Sequence, residues 1–231
     1  MEDFYHMQFQ GFSEQTIDFL WGIRFNNHRE WFLEHKQDYL DYVYDPLKAL
    51  GAQLMEAIEE VYPKEGLQLK VSRIYRDVRR VKYGGLYKDH LWLVIREPGE
   101  EWTAKPAFYF EISPEGYEYG MGYWCMPPMR TEQYRRRILR DPQSLEKLAR
   151  KLNRQELFRL EGEEYKRSKG DVGELLKPWF NRKTITLTSF HAPNERMTTP
   201  ELAEDIAAGF KWLKPYYNYF KALELEPPVT D

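Results

Sequence analysis

Apolar positions recur along this chain in two rhythms. From Ser13 to about Tyr62 they come every three or four residues, the spacing of a helical face. Ile17, Phe19, Leu20 and Ile23 predict a first helix opened by Ser13, with Thr16 where a capping box would carry Glu or Gln. Asn26-Asn27 reads as the break that ends it and caps the next. Trp31, Phe32, Tyr39, Tyr42 and Val43 then keep helical spacing from His28 to Tyr44. Asp45-Pro46 predicts a fresh start, because proline is tolerated in a first turn. Leu47, Leu50, Leu54, Ala57, Ile58 and Val61 form the stripe of this third helix, which Tyr62-Pro63 and Gly66 close.

The rhythm then shortens. Alternation places Leu69, Val71, Arg73 and Tyr75 on one face of an extended segment, and Leu91 to Ile95 is a continuous apolar run expected as a buried strand. Ala107–Ile112 and Tyr117–Trp124 predict a hairpin around Ser113-Pro114-Glu115-Gly116, with Gly120 and Gly122 marking a bulge or the close approach of another backbone. Pro127-Pro128 stops the return strand. Helical spacing resumes over 130–140 and 142–153, and Asp171–Trp179 predicts a short helix, whereas Leu157–Arg167 fits neither rhythm. Thr184–Phe190 alternates Ile185 and Leu187 with threonines, the pattern of a half-exposed strand. Thr198 and Glu201 resemble a capping box for a last helix, which Pro215 should kink or break. Helices at both ends and strands between them predict an α+β fold. It would be a central antiparallel sheet with a hairpin, covered by N-terminal and C-terminal helices. No Pro/Gly/Ser-rich linker divides the 231 residues, so a single domain over 1–231 is expected.

Composition narrows the class. An aromatic content of 16% makes disorder improbable, and the one cysteine, Cys125, excludes an internal disulfide and fits a reducing compartment. The opening MEDFYHMQFQ lacks the basic start and apolar core of a secretory signal, and no apolar run approaches a membrane span, so a cytoplasmic protein is expected. Charge is uneven. Lys70 to His90 holds seven Lys/Arg against two Asp, and 130–154 holds nine Lys/Arg against three Asp/Glu, in a chain of net charge −3. The rest is therefore acidic, which suits a basic patch on an acidic body better than a uniformly basic nucleic-acid binder.

The candidate chemistry lies in Val71–Ile95, VSRIYRDVRRVKYGGLYKDHLWLVI. Arg73, Arg76, Arg79, Lys82 and Lys88 gather around Asp77, with Gly84-Gly85 as a turn and Tyr87 beside the last lysine. Fixed cations on a loop between two strands can hold an anion, and such clusters also form surface salt-bridge networks. The five histidines show no close ligand spacing, so neither a metal nor a cofactor is expected. Cys125 has no histidine neighbour and is expected as a buried thiol. No nucleophile elbow, phosphate loop or dinucleotide fingerprint occurs. The arginines at 135–137, 140, 150 and 154 and Lys151 point to several sides of their helices, the arrangement of a solvated basic surface.

FNNHREWF (Phe25–Phe32), RIYRDVRRVKYGGLYKDHLW (Arg73–Trp92) and the hairpin end GMGYW (Gly120–Trp124) together resemble the domain-of-unknown-function family 2461, over roughly Phe12 to Leu213. That family has no established activity, so the resemblance implies kinship and no reaction. It usually follows Arg-Asp-x-Arg with Phe-Ser-Lys-Asp-Lys. Here Asp77, Arg79, Tyr87 and Lys88 keep their places and Lys82 matches the first lysine, but Tyr83 stands where the second acidic residue would be. Three readings follow. One is a binding protein that grips a phosphate or carboxylate on the Arg73–Lys88 loop, with Asp77 orienting an arginine. Another is an enzyme acting on a phosphorylated or carboxylated small molecule, with Tyr87, Glu111 or Glu118 moving a proton. The last is a nucleic-acid-associated protein using both basic blocks. Oligomeric state is left open.

Overall fold

The computed structural model of the chain describes residues 8–77, 85–99 and 101–227. The fold is α+β, with one six-stranded antiparallel sheet in the order β1-β2-β3-β4-β6-β5 and helices before, between and after its strands. The strands are β1 (Gln68–Val71), β2 (Leu91–Arg96), β3 (Ala107–Ser113), β4 (Gly116–Tyr123), β5 (Arg159–Glu161) and β6 (Ile185–His191). The helices are α1 (Glu14–Phe25), α2 (Arg29–Glu34), α3 (Lys36–Asp38), α4 (Asp45–Val61), α5 (Pro128–Arg140), α6 (Pro142–Leu152), α7 (Lys177–Phe180) and α8 (Glu201–Lys221). Among the described residues no helix is long and apolar enough to cross a membrane. The chain packs as two compact units, the first comprising residues 1–95, 109–119 and 190–209 and the second the remainder.

In the first unit α1 opens with Thr16 in a role that its residue type does not suggest. The Thr16 hydroxyl accepts the Ser13 N–H at 3.0 Å and donates to the Tyr42 carbonyl at 2.6 Å. A hydroxyl suffices for the return bond because the box needs only an acceptor within reach. The long helix expected from His28 to Tyr44 is instead α2, α3 and a π-helical turn over Tyr39–Tyr44 that runs straight into α4. Asp45-Pro46 interrupts nothing, since Asp45 is itself helical and Pro46 occupies the first turn, where no N–H is missed. Leu47, Leu50, Leu54 and Ile58 are buried as the stripe predicts. Gly51 is buried among them because a Cβ there would lie 2.9 Å from Leu69 of β1, so its absence lets helix and sheet meet.

The second unit is built on aromatic packing. Phe108 stacks on Tyr217 of α8 at 4.9 Å and on Phe210 at 5.0 Å, and Phe220 meets Tyr123 edge-on. Pro215 neither ends nor interrupts α8, which continues to Lys221. An internal proline costs about 3 kcal/mol. Tyr216, Tyr217 and Phe220, all fully buried, supply more than that by area.

Four other expectations are corrected in this region and beside it. Thr198 donates to the Glu195 carbonyl inside a 3-10 turn, so it does not cap α8. Only Lys177–Phe180 of the predicted 171–179 helix is helical. β6 is not half-exposed: Thr188 and Ser189 are buried because β5, in the segment that fitted neither rhythm, pairs with it in the register Arg159↔Thr188, Leu160↔Leu187, Glu161↔Thr186. Cys125 is exposed, lying past the end of β4.

Gly120 marks a close backbone approach, as its place in a strand predicts. A Cβ there would collide with the Leu187 carbonyl oxygen of β6. Gly120→Ala should therefore cost about 1–3 kcal/mol, read as a lower urea midpoint. An unchanged midpoint would mean that β4 and β6 have more room than this geometry gives them.

Candidate functional site

The basic loop and the residues that hold it all belong to the first unit. The two arms of the loop are tied by backbone hydrogen bonds. Lys88 N–H donates to the Ile74 carbonyl at 2.7 Å and Arg76 N–H to the Leu86 carbonyl at 3.0 Å, around an isolated antiparallel bridge between Tyr75 and Tyr87. The buried Ser72 continues the tie, donating its N–H to the Trp92 carbonyl and accepting the Trp92 N–H on its hydroxyl.

Asn27 holds this pair of arms from outside. Its Nδ2 donates to the Tyr87 carbonyl at 2.9 Å and its Oδ1 accepts the Tyr87 N–H at 2.9 Å, so one side-chain amide does what a neighbouring strand would do. The expectation that Asn26-Asn27 caps the next helix is thereby corrected. His28 caps α2, accepting the Trp31 N–H, while Asn26 donates to the Gly22 carbonyl of its own helix. Gly85 fits the same clamp, since a Cβ there would collide with the Asn27 amide. Tyr87 is buried with its ring on Phe32 at 4.3 Å, and Phe32 also meets Tyr75 edge-on. Burial and the neighbouring Tyr75 push the Tyr87 phenol above its ordinary value, which suits a hydrogen-bond donor rather than a base at neutral pH.

The carboxylate that collects these cations is Asp89, which sequence reasoning did not single out. It accepts Nε of Arg24 at 2.6 Å and Nδ1 of His90 at 3.1 Å, and Nη2 of Arg76 lies 3.5 Å away. Arg24 also grips Glu115 at the hairpin tip with both Nη atoms. The hydrogen bond to Glu115 leads the interactions that raise the Arg24 pKa, so this ion pair stays charged. Burial pushes the Asp89 carboxyl up, but the bonds from Arg24 and His90 outweigh it and hold it below the ordinary range.

The cations of the loop divide into those neutralised and those merely held. Arg76 Nε donates to the Tyr87 carbonyl at 2.8 Å, and Lys88 Nζ donates to the Arg73 carbonyl at 2.8 Å with the Trp92 ring 5.4 Å away. Burial lowers the Lys88 pKa, and Arg76 and Lys70 lower it further. Arg73 and Asp77 are exposed at the loop surface. Arg79 and Lys82, with Gly84 and the substituted Tyr83, lie outside the described residues. Glu111 of β3 completes the group. Burial, reinforced by Asp89, raises its carboxyl above the ordinary range against the opposing charges of His90 and Lys88. Two nearby carboxyls are thus pulled in opposite directions, the pattern of paired acid and base groups.

Sequence patterns hint at Asn27, which lies in the quoted FNNHREWF stretch, but its partner is 60 residues away. Glu111 stands in the sequence only as a candidate acid or base, and Asp89 only as one of two aspartates in the basic stretch.

The chain belongs to the family described as conserved hypothetical protein (DUF2461), which matches residues 15–219. No curated protein and no solved structure matches it. The two longest stretches that carried the resemblance are the ones that meet at the Asn27 clamp and the Phe32–Tyr87 stack.

Asn27→Ala leaves the Tyr87 N–H without its partner and removes one of two donors to the carbonyl, so it should lower stability by about 2–4 kcal/mol. Asn27→Asp keeps the acceptor and should fall between the two. Urea denaturation checks the order, and equal stability of all three proteins would discard the clamp. The two carboxyls predict opposite pH slopes. Asp89, held low when folded, contributes stability above its unfolded value of about 3.9 that is lost as pH falls through the folded value. Glu111, held high when folded, favours the folded state most below its unfolded value of about 4.3 and loses that contribution as pH rises through the folded value. The cost of Asp89→Asn should therefore shrink on acidification from pH 7 to 3. Glu111→Gln should gain on wild type between pH 4 and 7, both read from denaturation midpoints.

Proposed function

We propose that this member of the conserved hypothetical family is a binding protein for a small phosphate- or carboxylate-bearing anion, held on the Arg73–Lys88 loop. One observation carries the reading: Arg76 Nε and Lys88 Nζ are anchored by the carbonyls of Tyr87 and Arg73. A neutral acceptor fixes a cation's direction without cancelling its charge, which is what an anion site needs and what a salt-bridge network lacks. Asp89, the carboxylate facing Arg76, is 3.5 Å away and already takes Arg24 at 2.6 Å. Exposed Arg73 adds charge at the loop surface. Arg79 and Lys82 belong to the proposed site by their place in the same loop. Asp77 is assigned to orienting an arginine, and the clamped Tyr87 to holding the floor.

A second reading, an enzyme acting on such an anion, draws support from Glu111. Its carboxyl is raised by burial and lies in the field of Lys88, His90 and Asp89, so it holds a proton to higher pH than an ordinary carboxyl and is suited to donate one. In this reading Glu111 moves the proton in place of Tyr87, whose raised phenol is no base at neutral pH. The single Cys125, exposed and unpaired, is compatible with our placing the protein in the cytoplasm.

Titration with inorganic phosphate, followed by thermal unfolding at fixed ionic strength, tests the binding reading. Saturation at 100 times Kd should stabilise wild type by about 2.7 kcal/mol. Arg73→Gln, which alters an exposed side chain, and Lys88→Gln should each raise the half-saturating phosphate about tenfold while still folding. Half-saturation unchanged in both variants would remove the anion from this loop.

A further inference from the structure

The second basic block, residues 130–154, divides in the second unit into a part that is used up and a part that is open. On α5 the arginines point several ways and find partners. Arg137 lies over the Tyr219 ring at 4.4 Å and beside Glu226, Arg140 grips Glu226 with Nη2 at 2.9 Å, Arg136 pairs with Glu132, and Arg135 lies over the Tyr165 ring at 4.7 Å. The α6 cations do otherwise. Lys147, Arg150 and Lys151 share one face of α6 over about 6 Å at the helical rise, and Arg154 follows in the turn past its end. All four line one concavity of about 480 Å³ with Gln155 and Trp212, and no carboxylate is in that lining.

The cations here are again held by neutral groups. Lys151 Nζ donates to the Trp212 carbonyl at 3.2 Å and sits 4.3 Å from the Trp212 ring centre. Lys147 and Arg154 have no ion-pair partner among the described residues, and Arg150 has only an exposed contact with Glu146 at 3.5 Å. The wall is built in place. The Gln155 amide donates to the carbonyls of Leu152 and Phe158 and accepts the Phe158 N–H, fixing the turn that carries Arg154. Trp212 stacks with Phe158 at 5.4 Å and with Tyr216 at 5.3 Å, so its ring is engaged in the aromatic column and is a poor platform for a nucleic-acid base.

We infer that this concavity at the end of α6 is a second anion site, for a ligand that presents several phosphates in succession. Its volume falls in the range of small-ligand sites. Four cations around one concavity match a linear oligophosphate, either free or as the tail of a nucleotide. A single phosphate reaches only one or two of them.

Isothermal titration calorimetry of the full chain with tripolyphosphate tests this. Two sites that weaken as salt rises are expected, the loop and a tighter α6 site, with orthophosphate at least about tenfold weaker at the latter. The double variant Lys147→Gln/Arg154→Gln changes two exposed side chains and should weaken the tighter tripolyphosphate site about tenfold or more, whereas Arg73→Gln should leave that site unchanged and weaken only the other. That contrast separates this site from the Arg73–Lys88 loop: loss of the tighter site with Arg73→Gln alone would assign it to the loop and overturn the inference. An adenosine triphosphate arm distinguishes the sources, matching tripolyphosphate if only the phosphates are read and exceeding it if a base is also held. Unchanged binding by the double variant overturns the inference. So does equal or tighter binding of an oligonucleotide or an oligoglutamate peptide, which would make the concavity a macromolecular interface.

Discussion

The first unit depends on one side-chain amide. Asn27 gives the Tyr87 backbone both a donor and an acceptor, and without it that N–H would be a buried polar group lacking a partner. Other features follow from this contact. Residue 85 must lack a Cβ, the Tyr87 ring is delivered onto Phe32, and the Tyr87 carbonyl is positioned to receive Arg76. Helix end, loop and sheet entrance are therefore joined by a few short polar contacts, not by a broad apolar face. A contact of that kind is directional and tolerates little displacement.

Charge is handled in two ways. Where Arg24 spans Asp89 and Glu115, and where Arg137 and Arg140 share Glu226, cation and carboxylate neutralise one another and act as struts. Where Lys88 and Lys151 rest on carbonyls and beside rings, the charge is oriented but kept. Partial burial raises the cost of that retained charge, as the lowered pKa values of Lys88 and Lys151 register, and an arriving anion would offset it. Whether a carboxylate lies close to the cation, not basic-residue count, thus separates a strut from a potential site.

The abundant tyrosines serve mainly as core. Tyr134, Tyr216, Tyr217 and Tyr219 are buried in the second unit, where burial pushes the phenols of Tyr134, Tyr216 and Tyr219 upward. Tyr134 still satisfies its hydroxyl, donating to the Trp179 carbonyl, and Tyr216 donates to that of Leu148. Such large rings hold α8 together through Pro215, where local propensity alone predicts a break.

Periodicity was sufficient for the α+β class, the hairpin, the buried β2, the α4 stripe and helices α5 and α6, because each is decided by residues close in sequence. The glycines are recognisable as special for the same reason, and Gly120 makes the close approach that its strand position predicts. Local pattern misjudged the elements whose state depends on distant partners: α8 through Pro215, the burial of β6 and the short pairing of β5. The site followed the same division. That Arg73, Arg76, Tyr87 and Lys88 form a basic loop was written in the sequence. That Asp89 receives Arg24 and Arg76, and that Asn27 clamps Tyr87, were decided only by tertiary structure. Those bonds join residues up to 65 positions apart, and no local rhythm encodes the closing of so long a loop.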